Sequence, residues 1–276
     1  MSALTLRLRE SMPAAIDVSH LVPERLAELG VGRIAELPLW CGSERLRVDE
    51  VFEVSGDDTE SLVFEADAPT LQGVGYRMAR GTITVNGPTG AYCGWKMRGG
   101  KLTVRGDAGA YAASGMRGGL LSVEGNAGDF LAAARPGERY GMEGGVVLVR
   151  GNAGVRVGER MRRGSVLVEG SVADWCAARM RAGTIGVLGD TGAGLGWGMR
   201  RGTILLAQPP ELLSPLFREN GEQRLSFLAL LARSLESLQT PFTDLLRATA
   251  TVRRYVGDRS VAGIGELLLL DGKSLS

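Results

Sequence analysis

The chain has 276 residues, 44% of them apolar and 23% charged, and its 32 Lys+Arg against 31 Asp+Glu leave a formal net charge of +1. Those values rule out a disordered chain and argue against a general nucleic-acid binder, which is normally distinctly basic. No apolar run nears the length of a membrane span, residues 227–232 being among the longest, so no membrane partner is expected.

The first residues alternate apolar and charged side chains and lack a signal-peptide core, so the expected location is the cytoplasm. Residues 1–59 read as an N-terminal flank or cap, with a strand-like start and a short helix over 23–29 stopped by Gly30. The only histidine, His20, falls in the loop before that helix, where a surface or capping role is expected. Cys41, Cys93 and Cys176 are far apart and odd in number, which suggests neither a disulfide framework nor a paired zinc site. With one histidine, a metallohydrolase, a Ser-His-Asp triad or a Cys-His nucleophile lacks its parts. Neither a catalytic residue nor a metal site is therefore assigned.

Residues 60–207 are repetitive. Met78-Ala-Arg-Gly-Thr-Ile-Thr-Val-Asn-Gly recurs from Met97, Met116, Met142, Met161, Met180 and Met199, at intervals of 19 residues except for one of 26 before Met142. The extra residues fall within 131–141, where Arg-Pro-Gly-Glu-Arg reads as an exposed loop. Each copy holds one strand in which apolar positions alternate with polar ones. One inward column reads Ile83, Leu102, Leu121, Val147, Val166, Ile185, Ile204, and the next runs from Val85 to Leu206. A glycine column (Gly87, Gly106, Gly125, Gly151, Gly170, Gly189) ends the strands, mostly before Asp or Asn, and suggests left-handed backbone at a corner. Nineteen residues cannot hold a propeller blade. The expected fold is all-β: a right-handed parallel β-helix of about seven turns.

Residues 208–276 open with Pro209-Pro210 and carry an amphipathic helix over 226–238, then strand-like pieces at 251–256 and 264–270. This C-terminal flank is expected to pack on the repeats and cap them. It is also one candidate cover for the apolar outward positions Leu120, Val146, Leu148, Leu167, Leu188 and Leu205, the other being a second subunit.

Three features invite functional readings. The methionine column could suggest thioether ligands for copper, but one Met per repeat at one depth is better explained as core filler. Gly192-Ala-Gly-Leu-Gly-Trp-Gly resembles a nucleotide-binding loop, yet its spacing is wrong and no βαβ unit surrounds it. The third is a stripe of arginines after each Met: Arg80, Arg98, Arg117, Arg162, Arg163, Arg181, Arg200 and Arg201, interrupted by Glu143. It reads either as a solvated edge, paired with Glu124, Glu169 or the flanks, or as a cationic strip for an anionic partner or ligand.

The repeated Met-Arg-x-Gly-(Thr/Lys/Leu)-(Ile/Leu)-x-Val-x-Gly-(Asn/Asp)-Ala-Gly resembles the GXGXG repeats of the glutamate synthase C-terminal domain. It also resembles its free-standing relatives, the C subunits of formylmethanofuran dehydrogenase and of the bacterial formyltransferase/hydrolase complex. Asp49-Glu-Val-Phe-Glu-Val-Ser-Gly before the repeats and Arg254-Tyr-Val-Gly-Asp after them favour the free-standing form. A glutamate synthase would add an N-terminal cysteine nucleophile and a flavin barrel. The arginine-rich composition favours the bacterial complex over the archaeal one.

The resemblance implies a non-catalytic structural subunit in a hetero-oligomer with the A, B and D subunits. That complex moves a formyl group from formyl-tetrahydromethanopterin to methanofuran and releases formate. The cofactors methanofuran and tetrahydromethanopterin would serve the complex, with none bound by this chain. The alternatives are the C subunit of an archaeal-type formylmethanofuran dehydrogenase, or a module whose arginines hold the anionic tail of methanofuran. A carbohydrate-active enzyme would need acidic and aromatic side chains in register; aromatics are only 5% and the acids do not line up.

Overall fold

The computed structural model describes residues 2–10 and 12–270; residues 271–276, the end of the C-terminal flank, lie outside the described residues. Each repeat contributes one short parallel strand: Thr82–Asn86, Lys101–Val104, Leu120–Val123, Glu143–Val149, Arg163–Val168, Thr184–Val187 and Thr203–Leu206. Side chains alternate across such a strand, so the apolar columns fall together on one side. Ile83 pairs with Leu102, Leu102 with Leu121, Leu121 with Val147, and so on to Ile185 with Ile204, and every member is buried.

The flanks lengthen the same sheet. Asp58–Glu65 and Ala3–Leu8 add two parallel strands below Thr82–Asn86, placing Leu62 and Leu4 under Ile83, and Phe52–Ser55 closes that end antiparallel. At the other end Gly265–Leu270 pairs parallel with Thr203–Leu206, followed by Val252–Gly257 and Arg218–Gln223, both antiparallel. A separate four-stranded sheet joins Glu44–Arg47, Pro38–Cys41, Ile16–Asp17 and Leu71–Gln72.

This topology corrects the expected right-handed parallel β-helix. What the structure shows is one 13-stranded, mostly parallel sheet with antiparallel edges, together with a few helices. The reason lies in the rest of each repeat, which is turn backbone tied to its neighbours by single bridges such as Thr89 to Ala108 and Ala108 to Ala127. Three alternate residues there take positive φ, as in Tyr92 (66°), Gly94 (67°) and Lys96 (55°), and such residues cannot belong to a strand.

The glycines that end the strands also need correcting. Only Gly87 in that column has positive φ; the others are glycine because neighbouring chain passes too close. A Cβ on Gly125 would lie 2.3 Å from Asp107 Oδ1, and one on Gly151 would lie 2.6 Å from Asn126 Oδ1. Those oxygens build a ladder up the corner. Asp107 accepts from the Asn126 N–H at 2.7 Å, Asn126 from Asn152 at 2.9 Å, and Asn152 from Ser171 at 2.8 Å.

The core between strands and turns is filled by the methionines and by a column running Val74, Cys93, Ala112, Leu131, Val157, Cys176 and Leu195, all of them buried. Burial pushes the Cys93 and Cys176 thiols up to about 12, so both behave as small apolar side chains. A second core lies outside the sheet. Leu148, Leu167 and Leu205 are covered by helices Phe227–Ser234 and Pro241–Ala248. The chain's own C-terminal flank is therefore the cover for Leu148, Leu167, Leu188 and Leu205, built from two helices where one is expected from the sequence, while Leu120 and Val146 stay half-buried outside that cluster. In the N-terminal flank the helix is only Pro23–Leu26, and Gly30 caps a second one, Val31–Ala35.

Candidate functional site: an arginine and aromatic face on the turns

The left-handed residues decide which side chains meet solvent. Tyr92, Tyr111, Phe130, Arg156 and Trp175 occupy the first left-handed position of successive repeats, and Arg77, Lys96, Arg160 and Arg179 the third. Backbone N–H groups at the first and third positions donate to the following repeat, as Tyr92 to Ala110 O and Lys96 to Ser114 O do, both at 2.9 Å. The middle position donates backwards, Gly94 to Val74 O at 2.8 Å. Alternation of left-handed and ordinary residues thus hydrogen-bonds the turn in both directions. Glycine or a tolerated substitute recurs at every second place for that reason.

Aromatic rings pile along this face. Tyr111 and Phe130 stack with centroids 4.7 Å apart and planes 4° apart, Tyr92 lies 5.7 Å from Tyr111, and Tyr76 stacks on Trp95 at 4.5 Å. The loop within 131–141 folds back onto them rather than standing free. Its Arg135 sits 4.8 Å from the Tyr92 ring and 4.3 Å from Trp95, and its Glu138 pairs with Lys96 at 2.8 Å. Five of the aromatics, Tyr76, Tyr92, Trp95, Tyr111 and Phe130, thus meet along this face. The signal is present in the sequence, because Tyr92, Tyr111 and Phe130 recur at the repeat interval.

The arginine stripe resolves into two columns. Arg98, Arg117, Arg162, Arg181 and Arg200 follow Met directly, each donating its N–H to the methionine carbonyl one repeat below. Arg80, Arg163 and Arg201 lie one place further on. Arg80, Arg117 and Arg162 are paired, though not with Glu124 or Glu169. Arg80 meets Glu60 at 3.5 Å, while Glu143 takes Arg117 at 3.3 Å and Arg162 at 3.5 Å. Glu169 pairs with Arg150 at 2.6 Å instead, and Glu124 lies across the strand face near Arg105. Among the described residues Arg98, Arg163, Arg181, Arg200 and Arg201 have no carboxylate partner.

At the upper end these columns meet a groove of about 490 Å³. Arg181 and Arg200 line it with Arg160 and Arg179 from the left-handed column, Arg139 from the loop, Trp197, and Ser260–Val261 from the C-terminal segment. Arg179 lies 4.8 Å from the Trp197 ring, which is 43% exposed. The nearby Asp258 makes no ion pair with them among the described residues. It is buried, accepting from Gly198 N at 2.9 Å and from Ser260 N and Oγ at 2.8 and 2.7 Å. Burial alone would raise its carboxyl pKa, but the hydrogen bonds hold it below the usual range.

The remaining candidates sit elsewhere. His20 lies in the N-terminal flank, half-buried rather than on the surface, with Nε2 enclosed and unpartnered. Among the described residues no three His, Cys, Asp or Glu side chains converge as metal ligands. No helix among them is long and apolar enough to cross a membrane.

The sequence pattern of the GXGXG-motif family matches residues 72–215. The C subunit of the Methylorubrum extorquens formyltransferase/hydrolase complex is 40% identical over 86 residues, 31% of this chain and 32% of that protein. The C subunit of a tungsten-containing formylmethanofuran dehydrogenase 2 from Methanococcus maripaludis is 29% identical over 94 residues, 33% of this chain and 35% of that protein. Those matches span about a third of each curated relative. The crystal structure of the Methylorubrum extorquens formyltransferase/hydrolase complex (FhcABCD) with methylofuran contains a chain of similar fold. It has TM-score 0.88 and 39% identity, and the superposition covers 96% of this chain and 98% of that one. With just over half of its residues inside that match, the chain belongs to the GXGXG-motif family.

Proposed function

We propose that this chain is the C subunit of a formyltransferase/hydrolase complex, assembled with the A, B and D subunits. The complex takes a formyl group from formyl-tetrahydromethanopterin to methanofuran and releases formate. One observation carries the reading: end-to-end similarity, at 39% identity, to a chain of an FhcABCD complex solved with methylofuran. The lower identity to the archaeal tungsten-enzyme subunit favours the bacterial type. The chain's part is structural. Its cysteines are encased in the core or flank and its histidine lies half-buried in the N-terminal flank, which supports chemistry carried by the other subunits. The cytoplasm is the location that fits this role.

A second reading gives the unpaired stripe members Arg98, Arg163, Arg181, Arg200 and Arg201 to an anionic partner surface or to the tail of methanofuran. Co-expression with candidate A, B and D subunits, followed by sizing and formate assays, tests the main proposal. The expected result is a hetero-oligomer whose turnover depends on all four chains, and no turnover by this chain alone. Recovery of this chain only as a separate species, beside an active complex lacking it, overturns the proposal.

A further inference from the structure

A regular set of main-chain bonds ties the turn backbone from repeat to repeat, and it is incomplete in the last repeat. Single bridges run from Thr89 through Ala108, Ala127, Ala153 and Val172 to Thr191, where they stop. Ala153 donates its N–H to Ser171 O, Val172 to Asp190 O and Trp175 to Ala193 O, at 2.9, 2.9 and 2.7 Å. The next members of these series are the N–H groups of Thr191 and Gly194 and the carbonyl of Thr191, and none has a hydrogen-bond partner among the described residues. The Asp190 carboxylate likewise accepts nothing there, whereas Asp107, Asn126 and Asn152 each accept an N–H from the repeat above.

The sequence gives the reason. Pro209 and Pro210 stand 19 residues after Asp190 and Thr191, where further N–H groups would continue both ladders, and proline has none. Neighbouring ends of the stack are answered from within the chain. Strand Gly265–Leu270 pairs with Thr203–Leu206, and Asp258 accepts the Gly198 N–H at 2.9 Å and donates its own to Met199 O at 3.1 Å. At the bottom Gly90 donates to Leu71 O at 2.9 Å, and Leu71–Gln72 continues into the four-stranded sheet. Beside the open edge, Trp175 lies against Gly194 and meets Trp197 edge to face at 5.7 Å, the two rings being 38% and 43% exposed.

We propose that the edge at residues 190–194 accepts an extended main-chain segment of a partner subunit, which adds one more rung to the turns. Its carbonyls meet the Thr191 and Gly194 N–H groups, its N–H groups meet the Asp190 carboxylate and Thr191 O, and an apolar side chain rests on Trp175 and Trp197. A second copy of this chain fits poorly. Its own top offers the same donors, and its four-stranded sheet ends in Glu44–Arg47, an edge guarded by charge. The inference rests on the assignment to a hetero-oligomeric complex.

Hydrogen exchange resolved to single amides, on the isolated chain and on the co-expressed complex, tests it. The Thr191 and Gly194 amides should exchange rapidly in the chain alone and at least about tenfold more slowly in the complex. Thr191→Pro removes a donor used nowhere within the chain, and Asp190→Ala removes an acceptor equally unused. Each should leave the thermal midpoint of the isolated chain unchanged and weaken assembly roughly threefold to tenfold, the effect of one lost hydrogen bond. Rapid exchange of both amides in an assembled complex, or parental affinity of both variants, overturns the inference and leaves the assignment standing. Protection of these amides in a dimer of the isolated chain also overturns it, by making a second copy the occupant. If the chain does not enter the complex at all, inference and assignment fall together.

Discussion

A single backbone angle governs much of what each repeat can be. Gly119 has φ of +86°, and a Cβ there would lie 2.7 Å from the Gly100 carbonyl oxygen. Replacing it by Ala imposes both left-handed strain and a backbone clash, so Gly119→Ala should cost about 2 kcal/mol or more in denaturant unfolding. The exposed Gly137, also left-handed but with open space around it, should tolerate Ala at about half that cost. His20 acts at the same scale through protonation. Burial lowers its pKa against the pull of Asp17, so the folded state favours the neutral ring. Stability from this group is complete above the unfolded value near 6.5 and is lost as pH falls through the lower folded value. His20→Gln should therefore flatten the loss of thermal midpoint between pH 7 and about pH 5 relative to the parent.

Elements hold together by knobs entering holes, and the clearest case joins the C-terminal helices to the sheet. The outward column reads Leu148, Leu167, Gly186, Leu205, and the glycine is where Phe242 inserts: a Cβ on Gly186 would lie 2.6 Å from the Phe242 ring. Gly186→Leu, although it completes the leucine column, should overpack the contact and cost roughly 1–3 kcal/mol. Limited proteolysis should then cut within 226–248 faster than in the parent, with the repeats left intact. Helix Pro241–Ala248 escapes a reading of the sequence because its face is recognisable only beside the hole that receives it. The flank strands escape it as parts of the main sheet for a related reason. Ala3–Leu8 and Asp58–Glu65 carry the right alternation, but they occur once and have no repeat to set their register.

Across the whole molecule, stability resides in contacts between successive repeats, so damage at the middle of the stack separates its halves. Val123 is buried between Val104 and Val149, and Val123→Asp places an unpaired carboxylate there; unfolding at ambient temperature is expected, at a cost of at least about 3 kcal/mol. Circular dichroism of the variant checks it.

The interior ladder is legible in the sequence because seven copies of one alternation leave a single consistent register. The architecture is not. The sequence pattern marks where glycine recurs, whereas the turn geometry depends on Tyr92, Lys96, Trp175 and similar residues adopting left-handed backbone without being glycine. The arginine groove is half legible for the same reason. Arg181 and Arg200 follow methionine in plain sight, while Arg160 and Arg179 precede it at positions whose outward direction the left-handed turn sets.

The longer fourth repeat shows what this construction permits. Seven additional residues leave the strand pairing undisturbed, Leu121 still facing Val147 and Val123 facing Val149, because the added length emerges wholly at the turn. That separates two kinds of inheritance. Strand positions are bound to their neighbours and can change only in concert, whereas turn segments can lengthen, shorten or acquire new side chains one at a time. Relatives of this chain should accordingly agree along the strands and diverge at the turns, where Arg135 and Arg139 already show a local insertion adding charged side chains to an unaltered scaffold.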